Sequence, residues 1–305
     1  MDNCDVNKVL VTGATGFIGS ELLHDPRCST FLRCSREMTA NASIVKEINN
    51  RTIWGDSLKG IDVIVHLAGI AHDYQANVDL LADVNFQGTI RLARKAQESG
   101  VKKFIFLSSV SVYGSSCDIS DNSIPSPNNI FSEIKYKTEC ELQKIADESN
   151  MDVVIIRTPM VYGIGAPGNF GKLVKLISRV PVLPFGLVNN SRSIISVRNI
   201  SDFIYHCVVN SASSGKVFVV SDGTPVSTKA LSSAISKGLN RSVIQIPVPV
   251  IFMSIAARVL GRLQQVNQLL DDIVISSTAA KKVLNWTPPE TMAEAMAKLS
   301  NSRDL

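Results

Sequence analysis

The chain has 305 residues, 45% of them hydrophobic and 19% charged, with a formal net charge of +4. This is enough apolar chain for a large core, in one big domain or two smaller ones. The charge is mild and no Lys/Arg run exceeds two residues, which argues against a nucleic-acid partner and leaves a small anionic ligand open.

Taken in chain order, the apolar runs Lys8–Gly13, Thr30–Ser35, Asp62–Gly69, Lys103–Ser109, Asp152–Thr158 and Lys216–Asp222 predict strands. Their apolarity is continuous rather than alternating, as expected for strands covered on both faces in a parallel sheet. Helix-period segments lie between them, at Asp83–Gly100 and Ser132–Ser149. The rhythm predicts an α/β fold: a doubly wound parallel-sheet Rossmann domain. Beyond Gly163 the chain turns Gly- and Pro-rich, which suggests a smaller, loop-rich substrate domain over the carboxyl ends of the strands. The expected division is 1–165, completed by roughly 191–222, for the dinucleotide-binding part. The ranges 166–190 and 223–305 form the substrate-binding part.

The first predicted strand runs directly into Gly13, Gly16 and Gly19, spaced G-x-x-G-x-x-G, and then into a helix. The first glycine permits a tight turn, the second a close backbone approach to a pyrophosphate, and the third close helix–strand packing. Free N–H groups and the positive helix end then hold phosphate. Thr15, Phe17 and Ile18 complete this turn. At the end of the second strand stand Arg33, Ser35 and Arg36, with Glu37 beyond. Two guanidiniums and a hydroxyl suit a 2′-phosphate better than a ribose diol, so NADP is favoured over NAD. Asp56, beside Ser57, is a plausible acceptor for the adenine amino group.

Six cysteines (Cys4, Cys28, Cys34, Cys117, Cys140 and Cys207) show no C-x-x-C or metal-ligand spacing. They read as reduced thiols of a cytoplasmic protein. His24, His72 and His206 also lack ligand spacing, so no metal is implied, and His66 reads as a packed residue. The polar, acidic start from Met1 to Lys8 is not a signal peptide. The apolar segment Ile246–Gly261 contains two prolines and an arginine and is too short to span a bilayer. It is expected to be a packed helix, with no membrane partner.

With these pieces in place the chain resembles the extended short-chain dehydrogenase/reductase family, in particular its nucleotide-sugar epimerases and 4-keto-reductases. The resemblance rests on Thr12–Gly19, on HLAG (His66–Gly69), on VNFQGT (Val84–Thr89, with Asn85) and on FLSSVSVYG (Phe106–Gly114). It continues through IIRTPMVYG (Ile155–Gly163), GNF (Gly168–Phe170), Asn190–Asp202 and Lys281–Pro288. It implies that Leu67, Ala68, Gly69 and Pro159 line the cofactor. Ser109 is implied to hold the reacting oxygen, and Lys135 to lower the pKa of a tyrosine and bind the nicotinamide ribose. Ser111, Asn169, Phe170 and Arg192 are implied to meet a UDP-sugar, with Arg192 on the diphosphate. A homodimer through the helices bearing Asn85 and Lys135 is implied as well. Dehydratases of the family carry Asp-Glu after the active-site residue, whereas Ser109 is followed by Val110 and Ser111, which argues against water elimination.

The family pattern Y-x-x-x-K reads Phe131-Ser-Glu-Ile-Lys135 here. Tyr136 would lie about 140° around the helix from Phe131 and is a poor substitute. Three explanations stand open. The chain is an engineered Tyr→Phe variant; or the proton travels through Ser109, water or a ribose hydroxyl; or the protein is a non-catalytic NADP/UDP-sugar-binding regulator.

Overall fold

The computed structural model describes residues 8–35, 42–44, 47–71, 77–259, 261, 266 and 269–301, with backbone alone at 35, 42–44 and 301. Seven strands form one sheet: β1 (Val9–Thr12), β2 (Leu32–Ser35), β3 (Ala42–Ile44), β4 (Val63–His66), β5 (Lys103–Ser109), β6 (Asp152–Thr158) and β7 (Val217–Val219). Their order is β7-β6-β5-β4-β1-β2-β3, and every neighbouring pair is parallel. All residues of β1 and β4 are buried, as the unbroken apolar runs require. All six predicted strands form, within longer apolar runs. The short β3 has no such run and was not anticipated.

Alternation sorts the side chains into two cores. Val9, Val11, Val63 and Val65 point to one face, where they meet Leu22, Phe203 and Trp286. Leu10, Ile64 and Phe104 point to the other, against Leu92, Ala96 and Leu142. The helices, in chain order, begin with α1 (Phe17–His24), α2 (Val78–Ala82), which buries no residue, α3 (Thr89–Glu98) and α4 (Ile130–Asp147). They are followed by α5 (Gly168–Arg179), α6 (Val197–Val209), α7 (Thr228–Gly238) and α8 (Val250–Val259). Between α2 and α3 the chain widens into a π-helical turn, Asp83–Gly88. Such turns are rare in regular helices and concentrate at functional sites.

A smaller third core gathers Phe170, Leu173, Ile177, Leu231, Ile235 and Met296 from α5, α7 and the C-terminal segment. It is tied to the sheet by buried polar groups. Tyr162 Oη donates to Asp222 Oδ2 at 2.7 Å, and Asn199 Nδ2 donates to Asp222 Oδ1 at 2.7 Å. Asn199 also exchanges bonds with the Glu290 backbone in both directions, at 2.8 and 2.9 Å.

The expectation of a packed helix in Ile246–Gly261 is half corrected. Helix α8 forms there, but of its residues only Ala257 is buried, and Phe252 is 61% exposed.

α4 is fastened to the sheet differently. Its Glu139 is 2% exposed and accepts from Arg157 on β6, through Nη2 at 2.6 Å and Nε at 3.1 and 3.2 Å, and from Ser108 Oγ on β5. The remaining face of the guanidinium donates from Nη1 to Tyr113 Oη at 2.7 Å. Removing one partner of a buried ion pair strands the other charge. Glu139→Ala is therefore expected to cost about 3–5 kcal/mol of stability by urea denaturation; a loss below about 1 kcal/mol would show that the pair does not hold α4.

Candidate active site

Parallel strands end on the same edge, so residues distant in sequence converge at their carboxyl ends. Thr12 ends β1, His66 ends β4 beside it, and Ser109 ends β5 opposite Thr158 of β6. The sheet order reverses between β1 and β4, the crevice where such folds take ligands.

Gly13 turns the chain there with φ +69°, and a Cβ on it would lie 2.7 Å from Ala68 N. Gly16 N closes the turn on Gly13 O at 2.9 Å and begins α1 as its N-cap. Gly19 comes so close to the turn that a Cβ would fall 2.2 Å from Gly13 O. α1 has no side-chain cap and no acidic residue in its first turn. Thr15 and Gly16 are exposed, so the helix start is open to an anion. Phe17 and Ile18 face inward, Phe17 onto the third core and Ile18 onto the α6 side of the sheet. This turn has the shape and donors that a dinucleotide diphosphate needs.

The loop after β4 is held by a chain of hydrogen bonds. Thr89 Oγ1 donates to Asn85 O at 2.9 Å, so His66 Nε2 is the donor toward Thr89 Oγ1, also at 2.9 Å. His66 Nδ1 then accepts from Thr12 Oγ1 at 2.7 Å. Burial pushes the imidazole pKa down to about 3, with the Lys135 charge adding to it, so the ring is neutral. Asn85 accepts from Ile70 N and donates to Ile70 O, both at 2.8 Å. That clamp fixes Leu67, Ala68 and Gly69 beside the glycine turn. The His66–Thr12–Thr89 linkage is the feature that the sequence did not reveal; Thr12 and His66 are 54 residues apart.

At the far side of the edge, Arg33 is exposed on β2, and Asp56 is exposed and Ser57 half-buried in the turn Gly55–Leu58. Ser35 is described by its backbone alone, and Arg36 lies outside the described residues, as does His72.

α4 starts with a capping box between Asn129 and Ser132, which puts Phe131 in its first turn. Phe131 is half-buried and shares a helix face with Lys135, one turn on. Lys135 Nζ donates to Leu107 O on β5 at 3.0 Å and lies 4.6 Å over the Phe106 ring. Burial lowers its pKa to about 8, partly offset by Glu139. Ser109 Oγ accepts from Ser111 N at 3.1 Å, and Ser111 Oγ is buried without a partner. An unsatisfied buried hydroxyl beside the active-site strand is a position that a ligand group can complete. Pro159 is buried just beyond β6. Tyr136 packs with Val110, Val112 and Tyr113, and burial raises its pKa, with Cys140 adding to the shift.

Arg192 sits between two chain segments, bridging Val226 and Ile273, and its Nη1 donates to Asp271 O at 2.5 Å. Burial lowers its pKa, with Asp271 and Asp272 as the nearby opposing charges. A guanidinium so desolvated gains strongly from a bidentate phosphate. Asn169 is half-buried at the start of α5, which has no side-chain N-cap. The Phe170 ring is 1% exposed and packs 5.7 Å from Tyr162, so the side chain is part of the third core. Arg198 is exposed and faces Glu21 at 4.0 Å rather than Arg192.

An uncapped glycine turn on β1, a clamped loop after β4 and a serine–lysine pair on β5 and α4 define a nicotinamide-dependent enzyme of the extended short-chain dehydrogenase/reductase type. Residues 9–221 match the NAD dependent epimerase/dehydratase family, and the chain belongs to it. It is 32% identical to the UDP-glucose 4-epimerase of Vibrio cholerae, over 97% of this chain and 95% of that one. It is 27% identical to the N-acetyl-alpha-D-glucosaminyl-diphospho-ditrans,octacis-undecaprenol 4-epimerase of Escherichia coli O157:H7, over 80% of this chain and 76% of that one. Among solved structures, the UDP-glucuronic acid 4-epimerase from Bacillus cereus, in complex with NAD, superposes with a TM-score of 0.78 at 20% identity, over 96% of each chain.

The turn geometry makes one expectation sharp. Gly13→Ala would force a Cβ into the Ala68 backbone at positive φ, a strain of roughly 1–3 kcal/mol that displaces the loop. NAD(P)H affinity, followed by nicotinamide fluorescence, is expected to fall about tenfold or more while the far-ultraviolet dichroism is kept.

Proposed function

We propose that this protein transfers hydride at C4 of a UDP-linked hexose or N-acetylhexosamine, with NADP preferred to NAD. The observation that supports it most is Lys135. Its ammonium is held against β5 two residues before Ser109, on the edge that also carries the glycine turn. The glycine turn and the Leu67–Gly69 loop hold the cofactor, Arg33 and Asp56 its adenosine side, and Arg192 with Asn169 the sugar diphosphate. When bound, the nicotinamide supplies or withdraws the hydride. Ser109 positions the C4 oxygen, and Ser111 stands ready behind it.

Phe131 has no hydroxyl to carry the C4 proton. This favours one-way reduction of a 4-keto sugar over two-way epimerisation, because a reductase can take its proton from solvent. We assign Lys135 as the acid that feeds it, since an ammonium with a pKa of about 8 is a far better donor at neutral pH than an ordinary lysine. The five cysteines described are free thiols, which suits the cytoplasm. The half-exposed Val78 and Leu80 of α2 favour a homodimer through α2, α3 and α4. The competing reading, a regulator that binds the same ligands, rests on Phe131 alone.

Calorimetry with UDP-sugars and NADP(H) tests the ligands: binding of neither would overturn the reading. Phe131→Tyr restores the missing acid, and turnover is expected to rise about 10²–10⁴-fold; no turnover with any UDP-sugar after this change would favour the regulator. In the Phe131 protein, reduction is expected to fall as pH rises through about 8, when Lys135 loses its proton. A rate that stays flat from pH 7 to 9.5 would remove Lys135 as the acid.

A further inference from the structure

One extended strap, residues 271–278, links Arg192 to the loop that follows the active-site strand. On one side it holds the 190–193 stretch. Ile273 N donates to Ser191 O at 2.9 Å, Ser193 N to Ile273 O at 2.6 Å, and Ile275 N to Ser193 Oγ at 2.9 Å. Asp271 O accepts from Arg192 Nη1, and Asp272 Oδ1 accepts from Ser191 N at 2.6 Å. On the other side, its short strand Val274–Ile275 pairs in parallel with Asp118–Ile119. Val274 N donates to Cys117 O at 2.6 Å, and Ser276 N to Ile119 O at 2.8 Å. Ile273 and Ile275 alternate onto one face of the strap. They join Val110, Val112 and Tyr113 of the turn that carries Ser111, and Tyr136, the neighbour of Lys135.

A paired stretch of two residues is too short to keep its place unaided. The far end of the strap is fixed by one carboxylate. Asp121 Oδ1 accepts from Ser277 Oγ at 2.5 Å, and Oδ2 accepts from Thr278 N at 3.0 Å and from Thr278 Oγ1 at 3.2 Å. Partial burial works against the charge, yet these donors hold the Asp121 carboxyl below its ordinary pKa.

We propose, resting on Arg192 as the diphosphate ligand, that Asp121 is a positioning residue for the substrate. By locking the strap it sets the Arg192 guanidinium relative to the turn of Ser109 and Ser111, and so sets the diphosphate relative to the carbon that reacts. A misplacement of about 1 Å between a binding group and the reacting centre can cost about a hundredfold in rate, which is why such a lock matters. The bonds of the strap reach neither the glycine turn nor the 67–69 loop. The lock therefore acts on the sugar diphosphate and leaves the cofactor alone.

The test is calorimetry of the full chain with UDP and, separately, with NADPH, together with amide hydrogen exchange read by mass spectrometry. Asp121→Ala removes a charged acceptor and is expected to weaken UDP about tenfold, with NADPH affinity kept within about twofold. Exchange is expected to quicken at 190–193 and 273–276 in the same variant. Asp121→Asn keeps one oxygen for Thr278 N and gains an amide donor for Ser277 Oγ, so it is expected to recover most of the UDP affinity. UDP affinity unchanged in Asp121→Ala, or lost in step with NADPH affinity, would overturn the positioning role while leaving Arg192 as the diphosphate ligand. Unchanged exchange at 190–193, or no recovery with Asp121→Asn, would overturn it too. Failure of the unaltered protein to bind UDP would instead remove the diphosphate reading, and the role of Asp121 with it.

Discussion

A carboxylate removed from water stays charged only if donors replace its hydration, and Glu139 has them from Arg157 and Ser108. This one arrangement joins three elements: α4 through Glu139, β5 through Ser108 and β6 through Arg157. Tyr113 takes the last guanidinium face and so ties in the turn that follows Ser109. The residues that would do chemistry, Ser109 and Lys135, lie on the same β5 and α4. Their relative placement is therefore set by a group that touches neither ligand.

The parallel sheet sets the second constraint. Because every strand runs the same way, one edge collects the ends of β1, β4, β5 and β6, and with them Gly13, Leu67, Ser109 and Pro159. Polar side chains then fix the loops between. Asn85 is drawn into this role by the π-helical turn, and its amide satisfies both backbone groups of Ile70. The neutral His66 passes hydrogen bonds from Thr12 to Thr89, so both of its ring nitrogens are paired. The result is a rigid frame around a turn whose own helix end is left uncapped.

Much of this was legible in the sequence. The glycine spacing, the unbroken β-branched runs and the helix-period segments each follow from local rules, and the strands formed where those rules placed them. The long-range polar pairs were not legible, because nothing local marks them. Asn199 and Glu290 meet across 91 residues, and Thr12 and His66 across 54. Phe170 shows a related limit: its position in a motif does not reveal that its large apolar ring packs beside Tyr162 in the third core. For α8 the composition was read correctly as helical and wrongly as packed. A short apolar helix has the same sequence whether protein or another surface covers it, and only the fold shows which side faces out.

Phe131 gains its meaning from the same ion pair. In the usual arrangement a tyrosine hydroxyl beside the lysine shares the proton, and an adjacent developing phenolate favours the charged ammonium. Phe131 offers neither. The carboxylate that supports the Lys135 charge is Glu139, which is itself paired with Arg157. Burial then dominates, and the ammonium becomes acidic enough to give up its proton near neutral pH. Under the proposed reading, a site that lacks one acid thus holds the conditions for another. In the proposed reaction, proton transfer therefore falls to Lys135, and Phe131 is left with packing alone.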